Sequence, residues 1–129
     1  MATELKLFRC AICGNIVEMV EDHGVPLMCC GKKMDLMKAG STDAAQEKHV
    51  PVVTVANDKV TASVGEVTHP MGDEHHISWI ILETDKGVYR RKLPHDGEPV
   101  ATFCLHSEKP IAVYEFCNLH GLWKTEING

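Results

Sequence analysis

Apolar and polar side chains alternate strictly from Lys59 to Val64, with Val60, Ala62 and Val64 on one side and Lys59, Thr61 and Ser63 on the other. A period of two is the signature of a half-buried β-strand. Six further stretches rich in β-branched and aromatic residues follow the same reading: 50–56, 77–84, 87–93, 100–105, 111–116 and 121–127. Turn-forming residues separate several of them, among them Asn57-Asp58, Asp85-Lys86-Gly87, His95-Asp96-Gly97 and Glu108-Lys109-Pro110. Seven short strands punctuated by turns predict a mainly β chain whose second part is an antiparallel sandwich. Before them, Asp43 and Gln46 have the spacing of a helix-capping box, which predicts a helical turn over 44–47.

The first part has a different pattern. Residues 1–38 hold an apolar stretch at 16–20, glycines at 14, 24 and 31, and four cysteines: Cys10, Cys13, Cys29 and Cys30. A piece this short cannot bury enough apolar surface to fold alone and needs a staple. The stretch Ala39-Gly40-Ser41-Thr42 reads as a linker, which divides the chain into 1–38 and 39–129.

Composition narrows the options. The net charge of −5 and the absence of a Lys/Arg cluster argue against nucleic acid as a partner. No apolar run reaches the roughly 18–20 residues that span a bilayer, so no membrane role is expected. The opening decapeptide has no apolar core of signal-peptide length, which makes the cytoplasm the expected compartment. There, six cysteines are better read as metal ligands than as disulfides.

Two ligand sets emerge. Cys10-x-x-Cys13 puts two sulfurs on one turn, and Cys29-Cys30 supplies two more. Four thiolates make a closed tetrahedral set that suits electron transfer or structure, and the spacing is compatible with either zinc or iron. Adjacent cysteines tend to diverge, so ligation by both demands a distortion of backbone or tetrahedron. The second set is His49, His69, His75, Cys117 and His120. Four imidazoles and one thiolate exceed a closed tetrahedron, which suggests a five-coordinate centre with an open position. A thiolate donor raises electron density on such a metal, and redox-active iron suits that better than zinc. Lys48 adds a positive charge beside His49 that would attract a small anion into an acidic protein. His76 could compete with His75, but adjacent strand residues point to opposite faces. Cys104, between Phe103 and Leu105, reads as a small buried hydrophobe with no part in either set.

Over essentially its whole length the chain resembles the desulfoferrodoxins, the two-iron superoxide reductases. The resemblance rests on Cys10-x-x-Cys13 with Cys29-Cys30, on Glu47-Lys48-His49-Val50-Pro51, on His69-Pro70-Met71 and His75, and on Cys117-Asn118-Leu119-His120. It implies two iron ions per chain. One sits in a desulforedoxin-like module, held by Cys10, Cys13, Cys29 and Cys30. The other has His49, His69, His75 and His120 around it and Cys117 as axial ligand. It implies an immunoglobulin-like seven-stranded sandwich, a homodimer, and one-electron reduction of superoxide to hydrogen peroxide without oxygen evolution. The electron would come from a donor such as rubredoxin. Glu47 would take the sixth position after turnover, and Lys48 would attract superoxide. A different class, a non-enzymatic iron electron-transfer protein, would make the four-thiolate centre the working part.

Overall fold

In the computed structural model, residues 5–40, 49–65 and 69–127 are described. Glu47, Lys48 and the capping box at Asp43 and Gln46 lie outside them. Chain contacts divide the protein into two compact units, one from Ala2 to Lys38 and one from Ala39 onward. No helix among the described residues is long and apolar enough to cross a membrane.

The first unit is built from five short strands: β1 (Leu7–Arg9), β2 (Ile16–Glu18), β3 (Met28–Cys29), β4 (Lys32–Lys33) and β5 (Asp35–Leu36). They form a β2-β1-β5 sheet and a β3-β4 hairpin. Among the described residues its buried apolar side chains are few, namely Leu7, Cys10 and Met34, while Ile12, Val20, Val25 and Met28 stay exposed. So small a core cannot offset the ordering entropy of the segment by itself.

The second unit contains β6 (Pro51–Ala56), β7 (Lys59–Val64), β8 (Ile77–Thr84), β9 (Gly87–Lys92), β10 (Val100–Cys104), β11 (Pro110–Cys117) and β12 (Gly121–Glu126). Every pairing is antiparallel, in a β10-β7-β6 sheet and a β12-β11-β8-β9 sheet. Side chains from both sheets share one core: Val60, Ala62 and Val64 from β7, Ala101 and Phe103 from β10, Ile80 and Leu82 from β8, and Val113 and Cys117 from β11. This is the expected seven-stranded sandwich, and the period of two in β7 buries the three apolar residues it was expected to bury. β8 and β11 are buried along nearly their whole length because they are the two central strands of their sheet.

One expectation fails. Cys104 is exposed, not buried. On β10 the inward positions are Ala101 and Phe103, with Leu105 following in phase, so Thr102 and Cys104 must point outward. The apolar neighbours of Cys104 are flanking residues on the opposite face.

Candidate metal centres

In the first unit, two reverse turns present the four sulfurs. After β1 the chain closes with Gly14 N–H donating to the Cys10 carbonyl at 2.9 Å, and Gly14 takes φ +81°. The Cys13 backbone N–H points back at Cys10 Sγ, 3.4 Å away. The β3-β4 hairpin pairs Cys29 with Lys32, leaving Cys30-Gly31 as a two-residue loop with φ of +53° and +70°. Two consecutive positive φ values define the hairpin turn whose twist matches the flanking strands. That left-handed backbone at Cys30 is the distortion that ligation by adjacent cysteines requires, and it turns both sulfurs to one side.

The four sulfurs lie within 4.8 Å of one another. Cys13 Sγ and Cys29 Sγ are 3.6 Å apart. Metal–sulfur bonds of about 2.3 Å in a regular tetrahedron put sulfurs about 3.8 Å apart, so the spacing fits a bound ion. The N–H groups of Cys13 and Ile12 lower the Cys10 pKa to about 6, while contacts with neighbouring thiols push Cys30 up to about 12. Such a cluster resists full ionisation until a cation balances it.

In the second unit, His49, His69, His75 and Cys117 bring their ligand atoms within 4.8 Å of one another. His120 joins them, its Nδ1 3.0 Å from His49 Nε2 and 3.7 Å from Cys117 Sγ. The β11-β12 hairpin explains the last pair. Cys117 faces Gly121 across a three-residue loop, Asn118-Leu119-His120, and Gly121 just after it takes φ +84°, a left-handed conformation that glycine adopts without steric cost. A register shift between Phe116 and Cys117 opposite β8 marks a bulge beside the site, a common device for re-aiming a side chain. His69 and His75 come from the loop before β8, and His49 from just before β6.

Protonation suits metal binding. His69 Nδ1 sits 2.7 Å from the Pro70 carbonyl, which makes it the protonated nitrogen. Its Nε2 is buried without a hydrogen-bond partner among the described residues, a lone pair left for a cation. Burial lowers the His69 pKa to about 4, so the ring is neutral at neutral pH. Burial also raises the pKa of Cys117, against N–H groups of Leu119 and His120 that lower it. Metal binding must therefore release its proton. His76 is not in the group. Its ring stacks on His95 at 3.6 Å between centroids, and its Nδ1 is 2.9 Å from the Gly72 carbonyl.

Two contributors escaped the sequence reading. Trp123 stacks on the His49 ring at 5.1 Å, and its Nε1 donates to the His120 carbonyl at 3.1 Å. It stands three residues after His120, a position no ligand motif marks. Glu115 shares the inward face of β11 with Val113 and Cys117 and is fully buried, both carboxylate oxygens lacking a hydrogen bond among the described residues. Desolvation pushes its pKa to about 9, so it is a neutral acid at pH 7. The unfolded carboxyl ionises above its ordinary 4.5 while the folded one does not. Its effect is therefore a loss of stability as pH rises from about 4.5 toward about 9. Urea midpoints at about pH 5 and pH 8 should fall more in the wild type than in Glu115→Gln; equal falls would contradict this.

The Desulfoferrodoxin family model matches residues 41–126, and that of the desulfoferrodoxin N-terminal domain matches residues 2–37. The desulfoferrodoxin of Syntrophotalea carbinolica is 45% identical over 126 residues, covering 98% of this chain and 99% of that one. The superoxide reductase of Pyrococcus abyssi is 37% identical over 72% of this chain and 95% of its own. The crystal structure of the superoxide reductase from Treponema pallidum superposes with a TM-score of 0.80 at 39% identity, covering 96% of this chain and all of that one. By both of its units, this chain belongs to the desulfoferrodoxin family.

Proposed function

We propose that this chain is a superoxide reductase, adding one electron and two protons to superoxide and releasing hydrogen peroxide without forming dioxygen. The convergence of imidazoles, those of His49 and His69 buried, on the Cys117 thiol, in a chain of this family, carries that reading. Residues 39–129 are the catalytic domain and residues 1–38 an iron module held by Cys10, Cys13, Cys29 and Cys30. His49, His69, His75, His120 and Cys117 would hold an iron ion, which when bound would supply the one-electron chemistry that superoxide reduction needs. The Cys117 thiolate contributes the negative charge of the ligand set, and neutral imidazoles add none. The Pro70 carbonyl fixes the His69 tautomer and leaves Nε2 as its donor atom. Trp123 holds His49 by stacking and His120 through its carbonyl. Glu47, on the family motif, would bind the ferric ion after turnover. Lys48 draws the anion in. A rubredoxin-type protein returns the electron, and the working form is a cytoplasmic homodimer.

Lys48→Ile should slow the second-order reaction with superoxide several-fold and flatten its dependence on ionic strength, measured by pulse radiolysis. An unchanged rate and salt slope would return Lys48 to an ordinary surface residue. The test of the whole reading is to add superoxide to the pre-reduced protein. One peroxide per superoxide with no evolved oxygen is the expected result. Half that yield accompanied by oxygen would indicate dismutation and overturn it.

A further inference from the structure

The loop bearing His69 and His75 and the β11-β12 hairpin bearing Cys117 and His120 belong to separate stretches of chain, yet their ligand atoms converge within a few ångströms. Asn118 connects them. Its side-chain Oδ1 accepts from the His76 backbone N–H at 2.9 Å, and its Nδ2 donates to the Glu74 carbonyl at 2.9 Å. Its own backbone N–H donates to the His76 carbonyl at 3.2 Å. The three bonds grip residues 74 and 76, and the residue between them is His75. Asn118 itself follows Cys117 directly in the chain. One residue thus ties the chain on both sides of His75 to the position that follows Cys117.

The chemistry of the grip selects a carboxamide. It faces a backbone donor on one side and a backbone acceptor on the other, 2.9 Å from each. Asparagine presents one acceptor and one donor on a single planar group, whereas an ionised aspartate can only accept. The same bonds stand in for strand pairing where the β8-β11 ladder stops at Cys117 and Ile77.

We infer that Asn118 is a positioning residue for the histidine-site metal, setting the place of His75 relative to Cys117 by clamping Glu74 and His76. The inference rests on the ligand set proposed above. Residues that orient metal ligands from outside the coordination sphere cost about 10–100-fold in metal affinity or activity when changed.

The test uses the full-length two-iron protein and its Asn118→Ala and Asn118→Asp variants. Iron release from each centre to a chelator is followed together with the electron paramagnetic resonance of the ferric protein. A four-thiolate site and a mixed nitrogen–sulfur site give separate signals, so the first centre is an internal control. Asn118→Ala should release histidine-site iron about tenfold faster or more and change that site's ferric signal. The four-cysteine centre should be unaffected. Asn118→Asp keeps the bond from the His76 N–H and should fall between alanine and wild type, which decides the matter even if the alanine variant does not fold. Unchanged release and signal, or equal acceleration at both centres, would overturn the inference. A wild-type protein lacking any histidine-site signal would overturn both the inference and the ligand set beneath it.

Discussion

Cys117→Ser is expected to abolish superoxide reduction while leaving the sandwich folded. Cys117 is fully buried, belongs to the shared core and stands at the end of a central strand. Serine is slightly smaller, so the substitution leaves little cavity. Its hydroxyl in an apolar surrounding costs about 1–3 kcal/mol, a fraction of a typical domain stability of about 5–15 kcal/mol. Chemically the exchange is drastic. A thiol gives up its proton to a metal and becomes a soft anionic donor, whereas a serine hydroxyl stays protonated. The second-order rate should fall by more than about 100-fold, beyond the range expected for outer-sphere partners. Stopped-flow or pulse-radiolysis rates alongside a thermal melt would measure both parts. A rate within a few-fold of wild type would remove Cys117 from the ligand set.

The second large effect is expected in the first unit. Cys13→Ser should cost it its metal and, with the metal, its fold, while the sandwich keeps both its structure and its activity. The reason is the poverty of the core. Among the described residues three buried apolar side chains stand against a longer series of exposed ones, including Val20 and Val25. Strands of two or three residues cannot hold themselves together. Structural metal binding contributes about 10–16 kcal/mol in small cysteine-stapled modules, far more than such a core. Hydrogen exchange is the direct measurement. Amide protection at Cys10, Gly14 and Met34 should vanish in the variant and persist at Val64 and Leu93, all five being hydrogen-bonded donors in the folded chain. Retained protection in the first unit would show that its backbone needs no staple. Loss of superoxide reduction with the sandwich intact would favour an electron-transfer protein over a reductase.

Much of the sandwich could be read from residue order because strand parity is a local property. The apolar run Ile77–Thr84 coincides with β8, and the alternation in β7 marks its inward face. Cys104 shows how the same rule is lost. Judged by its neighbours it looked buried, whereas counting in twos from Ala101 places it outside. The Cys29-Cys30 pair was legible as a problem but not as a solution. Only the hairpin reveals that a left-handed Cys30 turns both sulfurs to one side.

Residue types and short spacings by themselves determined the two donor sets, the closed nature of one, the open character of the other and the strand content between them. These follow from side-chain chemistry and from periods of a few residues, which chain order preserves. Tertiary structure alone decided that the His76 ring stacks on His95, that Trp123 packs on His49, that Glu115 is buried with no hydrogen-bond partner among the described residues, and that Asn118 fastens one loop to another. Those relations join residues up to 74 positions apart, between His49 and Trp123, and distance along the chain holds no record of them. They exist only once two sheets have packed and one loop has been fastened to another.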